Sequence, residues 1–226
     1  MTDPWAATRG AYDTVAENYA ELVRMDQVEA SLDLAMLDEF SRRVRGKGRV
    51  LDAGCGPGRV TRYLSDRGVH AFGIDLSPQM VRVATDLHPG LEFSVGSLDA
   101  LEVESGSLAG VLAWYSIIHT RPADLPTVLG QLLRVLEPGG WLLTGHQSGD
   151  GDRHLDHAYG HDIDLTAYLY TAEHMSVAIE ALGGVVHARL TRGPERSEKR
   201  PQAFVLARSH SDVTAETGCA DGRERG

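Results

Sequence analysis

The segment Arg49-Val50-Leu51-Asp52-Ala53-Gly54-Cys55-Gly56-Pro57-Gly58-Arg59 decides the fold. Val50-Leu51 reads as a short apolar strand that runs directly into a glycine-dense turn. Beyond the turn, Val60, Tyr63 and Leu64 recur at helical spacing, with Thr61, Arg62 and Asp66 between them. Strand, glycine turn and helix open a nucleotide-binding α/β unit. The backbone must turn sharply there, and a ligand must approach it without a Cβ in the way. Asp75 follows Asp52 by 23 residues and ends a second apolar run, His70 to Ile74. A carboxylate at the tip of a second strand is placed to grip a ribose diol. Arg59 occupies a position where a dinucleotide fingerprint has glycine or alanine beside a pyrophosphate, and this argues against a dinucleotide.

With Asp52 before its glycines, the string resembles motif I of the class I S-adenosylmethionine (SAM)-dependent methyltransferases. The resemblance continues through Asp75, through Ser97-Leu98-Asp99-Ala100-Leu101, and through Leu133-Arg134-Val135-Leu136-Glu137-Pro138-Gly139-Gly140. Four motifs in order cover about residues 45 to 145, and a weaker match extends to about 208. The chain is most similar to the small-molecule, type-11/25 branch. That resemblance implies an α/β fold with a seven-stranded, mostly parallel Rossmann-like sheet of order 3-2-1-4-5-7-6, strand 7 antiparallel. It implies one domain over residues 1–208, with a helical lid at 1–45 and an acceptor-covering insertion at 146–172.

Composition narrows the class. The length, 226 residues, suits one sizeable core, and 42% hydrophobic with 24% charged residues is ordinary for a globular protein. A formal net charge of −10 disfavours a nucleic-acid substrate, which calls for a basic face. No apolar run is long enough for a membrane helix, and the first residues carry no basic-then-apolar signal pattern. The two cysteines, Cys55 and Cys219, lie in a glycine turn and a polar tail, so a disulfide is not expected and a cytoplasmic setting is. A monomer or homodimer is expected.

Residues 8 to 44 read as helices, with Tyr12, Val15, Ala16 and Tyr19 on one face. Strands are expected near 49–53, 70–74, 91–95, 109–114 and 140–145, and helices near 58–67, 78–87 and 124–136; this alternation implies a parallel sheet. Ser77-Pro78 reads as a capped helix start. Residues 146 to 172 break the alternation as a long loop rich in His and Asp. Glu173 to Leu182 reads as a helix, then Val185–Thr191 and Ala203–Arg208 as a closing antiparallel pair. The polar stretch from Ser209 to Gly226 is expected to be disordered.

The cofactor implied by the resemblance is SAM, with S-adenosylhomocysteine as product. Gly54, Cys55, Gly56 and Gly58, with Asp52, would lie against its methionine part. Asp75 would accept from both ribose hydroxyls, with Leu76 beside it and Met80 against the adenine. Ser97, Leu98 and Asp99 match the adenine-binding turn. Trp114 and Tyr115 border the sulfonium or pack in the core. Tyr12 and Tyr19 contact the SAM carboxylate or form a core stripe.

His119 is the candidate base, since its unperturbed pKa lies near neutrality; a core or capping histidine is the alternative. Tyr115, His119, His146, Tyr159 and His161 are the candidates for lining the pocket of a small-molecule acceptor. His154-x-x-His157-x-x-x-His161 invites a metal, but a structural or substrate role is the better reading and no metal is expected. The implied activity is methyl transfer to an O, N or C nucleophile. The alternative is a SAM-binding protein of the same fold that transfers no methyl, such as a cyclase.

Overall fold

The computed structural model describes residues 3–196 and 198–210. The chain opens with helices α1 (Ala6–Leu22), α2 (Met25–Val28) and α3 (Ser31–Val44). The alternating core then runs β1 (Arg49–Ala53), α4 (Arg59–Asp66), β2 (His70–Asp75), α5 (Pro78–Leu87), β3 (Glu92–Val95), β4 (Leu108–Trp114), α6 (Leu125–Arg134) and β5 (Leu136–Gln147). A 3-10 turn, Ile117–His119, follows β4. The last part is β6 (Asp152–Ala158), β7 (His161–Tyr168), α7 (Ala172–Ala181), β8 (Val185–Arg192) and β9 (Gln202–Arg208).

Seven strands form one sheet in the order β3-β2-β1-β4-β5-β9-β8. The first five are parallel, and β9 runs antiparallel to both β5 and β8. This is the expected Rossmann-like topology, with β8 and β9 in the places of strands 6 and 7. Every residue of β4 is buried, as a central parallel strand covered on both faces must be. One apolar layer packs α6 and α7 on the sheet around Leu129, Met175 and Val205, and the other packs α3 and α4 around Phe40, Leu64 and Phe204. The strand order reverses between β1 and β4, so the carboxyl ends of β1, β2 and β4 open a crevice.

Two further segments pack at that edge of the sheet. Helix α1 packs Val15 and Ala16 on Met80 and Val83 of α5. Its Asp13 accepts a hydrogen bond from Ser77 Oγ at 2.6 Å, while Ser77 Oγ caps α5 by accepting from Met80 N at 3.0 Å. Residues 146 to 172 are not a loop. Strand β5 runs on to Gln147, and β6 and β7 pair as a separate hairpin with Leu155 opposite Leu165. Tyr159 and Gly160 make its turn, both at positive φ. His154 and His157 lie on a strand, where residues three apart are not brought together as they would be on a helix.

Strand β5 also begins earlier than expected, at Leu136, and passes through Gly139 at φ 78°. Ser209 remains tied to the sheet, its N–H donating to Gly140 O at 2.9 Å. The rest of the expected disordered tail, from residue 211, lies outside the described residues.

Candidate functional site

The crevice is a recess walled by the turn after β1, the end of β2, the segments after β3 and β4, and α1. Gly54 turns at φ 76°, and a Cβ on it would stand 2.3 Å from Ser116 Cβ. Gly56 turns at φ 54°; a Cβ there would meet no protein atom within 4 Å and would project into open space. The first glycine is therefore required by packing and the second leaves room for a ligand.

Asp75 holds this turn to the second strand. Its Oδ2 accepts from Gly56 N at 2.8 Å and its Oδ1 from Ser77 N at 2.9 Å. Burial raises its pKa, and the backbone amides oppose that rise. Asp52 is buried beneath and accepts from Thr61 Oγ1 at 2.7 Å; burial pushes its pKa up to about 6.

The opposite end of the recess is aromatic. Tyr12 Oη and His119 Nε2 are 2.8 Å apart. His119 Nδ1 lies 2.8 Å from the Thr166 carbonyl of β7. A carbonyl only accepts, so Nδ1 carries the proton and Nε2 accepts from the Tyr12 hydroxyl. His119 is 8% exposed, and burial lowers its pKa. Burial raises the Tyr12 pKa well above 10, so both groups stay neutral. Tyr19 stands edge-on to Tyr12 and to Tyr159, with ring centroids at 6.2 and 4.7 Å.

Of the residues singled out from sequence, Tyr12, Tyr19, Asp52, Gly54, Cys55, Gly56, Asp75, Leu76, Met80, Ser97, Leu98, Trp114, Tyr115 and His119 line the recess. Others are placed differently. Gly58 starts α4 in the left-handed region, and its missing Cβ makes room for Phe93 and His88 rather than for a ligand. Asp99 sits behind the wall, with Oδ2 accepting from the Trp5 indole at 2.7 Å and Oδ1 bonded to the Ser97 hydroxyl.

His146 is fully buried and edge-on to Tyr170, and it is not among the residues that line the recess. Tyr159 and His161 lie behind Tyr19 rather than on the wall, docking the hairpin on α1. Asn18 Nδ2 donates to Tyr159 O and lies beside His161 Nε2, each at 3.1 Å. The Tyr115 hydroxyl turns away to donate to Gln202 at 2.8 Å. Trp114 stacks on Phe204 at 5.0 Å.

Sequence reading did not place Trp5, Thr8, Ser116 or Thr120 on the wall, nor Arg59, which it used only against a dinucleotide. Arg59 pairs with Glu29, which is 3% exposed and also accepts from Trp114 Nε1 at 3.1 Å. Nothing local marks Glu29 as the partner of an arginine 30 positions on. On the hairpin, exposed His157 pairs with Asp162 at 3.0 Å and exposed His154 lies 3.8 Å from Asp164. Among the described residues, no three His, Cys, Asp or Glu side chains gather to hold a metal. Among them, too, no helix is long and apolar enough to cross a membrane.

Residues 50–140 match the family model described as Methyltransferase domain. The chain is 33% identical over 134 residues to the malonyl-[acyl-carrier protein] O-methyltransferase of Pseudescherichia vulneris, covering 59% of this chain and 51% of that protein. It thus spans about half the length of the curated relatives it matches. A SAM-dependent methyltransferase from Methanosarcina mazei superposes with a TM-score of 0.67 at 18% identity, over 76% of this chain and 96% of the other. The [4+2]-cyclase SpnF superposes with a TM-score of 0.69 at 17% identity, over 90% of this chain and 96% of the other. Those two likenesses concern the fold, which serves a methyltransferase in one case and a cyclase in the other.

Proposed function

We propose that this chain, whose residues 50–140 match a methyltransferase-domain family model, is a class I SAM-dependent methyltransferase that moves a methyl group from SAM to a small-molecule acceptor and releases S-adenosylhomocysteine. The observation that carries the reading is the bridge from Asp75 to Gly56 N, which sets a carboxylate and an open glycine turn at the reversal of strand order. The site fits the cofactor on its own terms. Gly56 leaves open space at the wall, and Ser116 Oγ is buried there without a partner. Asp75 would take the ribose hydroxyls, Ser97 and Leu98 the adenine edge, and Gly54 to Gly56 the methionine part.

When bound, SAM supplies a methyl activated by its sulfonium. The chain's own work is to align a nucleophile with that methyl and exclude water. Tyr12 and His119 add a proton acceptor. A hydroxyl nucleophile gives its proton to Tyr12 Oη as Tyr12 passes its own to His119 Nε2, and the resulting imidazolium keeps its Nδ1 proton on Thr166 O. Residues 1–208 act as one unit in this reading, with α1 and the β6–β7 hairpin as a lid. The relative from Pseudescherichia vulneris is named for O-methylation, and oxygen is the nucleophile that Tyr12 suits best.

Calorimetry with SAM and S-adenosylhomocysteine, followed by mass spectrometric detection of S-adenosylhomocysteine formed over an acceptor panel, tests the proposal. Cofactor binding without S-adenosylhomocysteine production by any acceptor would favour a non-methylating role such as that of the cyclase.

A further inference from the structure

Arg153 lies on β6 directly opposite Ala167 of β7. The two-fold alternation of the hairpin places it on the face that carries Leu155, Leu165 and Ala167, of which the last two are buried at 5% and 1% exposure. The other face carries the exposed His154, Asp156 and Asp164. An arginine on the covered face of a hairpin is expected to find a partner, because a guanidinium nitrogen buried without one is costly. Arg153 Nε is buried and has no hydrogen-bond partner, and no carboxylate among the described residues forms an ion pair with it. In a chain with 32 acidic and 22 Lys and Arg residues, a partly buried arginine left without a carboxylate is a feature to explain.

The surroundings point to what it waits for. It lies on the strand pair that holds His119 at the aromatic end of the recess, and its charge is felt by Tyr12, His119 and Tyr159. Its strand partner Ala167 adjoins Thr166, whose carbonyl holds His119. Arg59, which lines the recess, is already taken by Glu29.

We propose that Arg153 anchors an oxyanion of the acceptor, so that the acceptor is a carboxylate- or phosphate-bearing small molecule with its nucleophile held beside Tyr12. This rests on the methyltransferase reading for the word acceptor but not for the anion site itself. A guanidinium fork matches either oxyanion through paired hydrogen bonds, where an ammonium would offer only a point charge.

The test is calorimetry at low ionic strength, on the protein alone and with S-adenosylhomocysteine present, using benzoate, phenyl phosphate and neutral benzamide as probes. Benzoate or phenyl phosphate should bind saturably and benzamide should not, and whichever anion binds tighter identifies the oxyanion. Arg153→Gln should weaken anion binding by about tenfold or more, and Arg153→Lys should restore part of it. Urea unfolding of both variants separates a lost anchor from a lost fold. S-adenosylhomocysteine affinity should be the same in wild type and Arg153→Gln; a tenfold drop would mean that Arg153 holds the cofactor's own carboxylate and would overturn the proposal. Equal binding of benzamide, retained anion binding in Arg153→Gln, or no anion binding at all would overturn it too. Failure of S-adenosylhomocysteine to bind would count against the methyltransferase reading, and the probes on the protein alone would still decide the anion site.

Discussion

Tyr12 on α1 and His119 after β4 share one hydrogen bond of 2.8 Å, and through it the helix that closes the recess holds the imidazole lone pair. Thr166 on the hairpin holds the other ring nitrogen at 2.8 Å. Three segments far apart in sequence thus fix one tautomer, with the proton on Nδ1.

If this pair takes the acceptor's proton, His119→Ala lowers turnover by about 100-fold or more and Tyr12→Phe by a similar factor, while cofactor affinity changes little. Steady-state kinetics beside calorimetry checks this. A loss below about threefold in both would leave the pair as packing only. Nitrogen NMR of the ring reports the tautomer independently, and a proton on Nε2 would contradict the geometry.

Cofactor binding should depend on Asp75 and Gly56. Asp75→Ala removes charge-assisted acceptors worth about 2–4 kcal/mol in a desolvated site, so affinity should fall by more than about tenfold. Gly56→Val should abolish binding. At φ 54° it also adds backbone strain of about 1–2 kcal/mol, so its unfolding midpoint must be measured alongside. Unchanged cofactor affinity in either variant would move the site elsewhere.

His146 should make the protein acid-sensitive. Burial pushes its pKa from 6.5 down to about 4, so the folded ring refuses a proton that the unfolded chain accepts. Its contribution is full above pH 6.5, is lost as pH falls toward 4, and levels off below. The total loss is about 3 kcal/mol. Urea unfolding across that range should show the slope in wild type and a shallower one in His146→Leu. His119, also shifted down by burial, acts in the same direction.

If α1 and the hairpin form a lid, they should tighten on binding. The hairpin rests on α1 through Asn18 and through the Tyr19–Tyr159 contact, so residues 8–30 and 146–172 are expected to move together. Hydrogen exchange with and without S-adenosylhomocysteine should show protection rising in both segments. Protection confined to residues 52–58 would mean that no closure occurs.

The core was legible because its signals are local. Val50-Leu51 before three glycines, Asp75 at the end of an apolar run and Ser77-Pro78 before a helix each specify a turn or cap from neighbouring residues alone; their alternation implies a parallel sheet, and its strand order was implied by the family resemblance. The recess wall at the carboxyl ends of the strands was legible for the same reason.

Local spacing misled where a residue's environment is set by distant chain. His146 was read from its place at a strand end as a pocket residue, yet it is fully buried, paired with Ala203 of β9 and edge-on to Tyr170. Gly58 belongs to the glycine motif, but Phe93 and His88 claim the space it leaves. The hairpin was hidden because His and Asp alternate with only a few apolar residues, and its covered face becomes apolar only once α1 lies beneath it.

The sequence by itself therefore determined the order of strands and helices, the glycine turn and the carboxylate that meets it. Tertiary structure alone decided which charges are paired. Glu29 and Arg59, Tyr12 and His119, and the uncompensated Arg153 are separated by tens of residues or more, and their partners depend on where α1 and the hairpin settle over the sheet. The physical reason is that a turn or a cap is satisfied by its neighbours in the chain, whereas a buried charge or lone pair must be satisfied by whatever the fold brings against it.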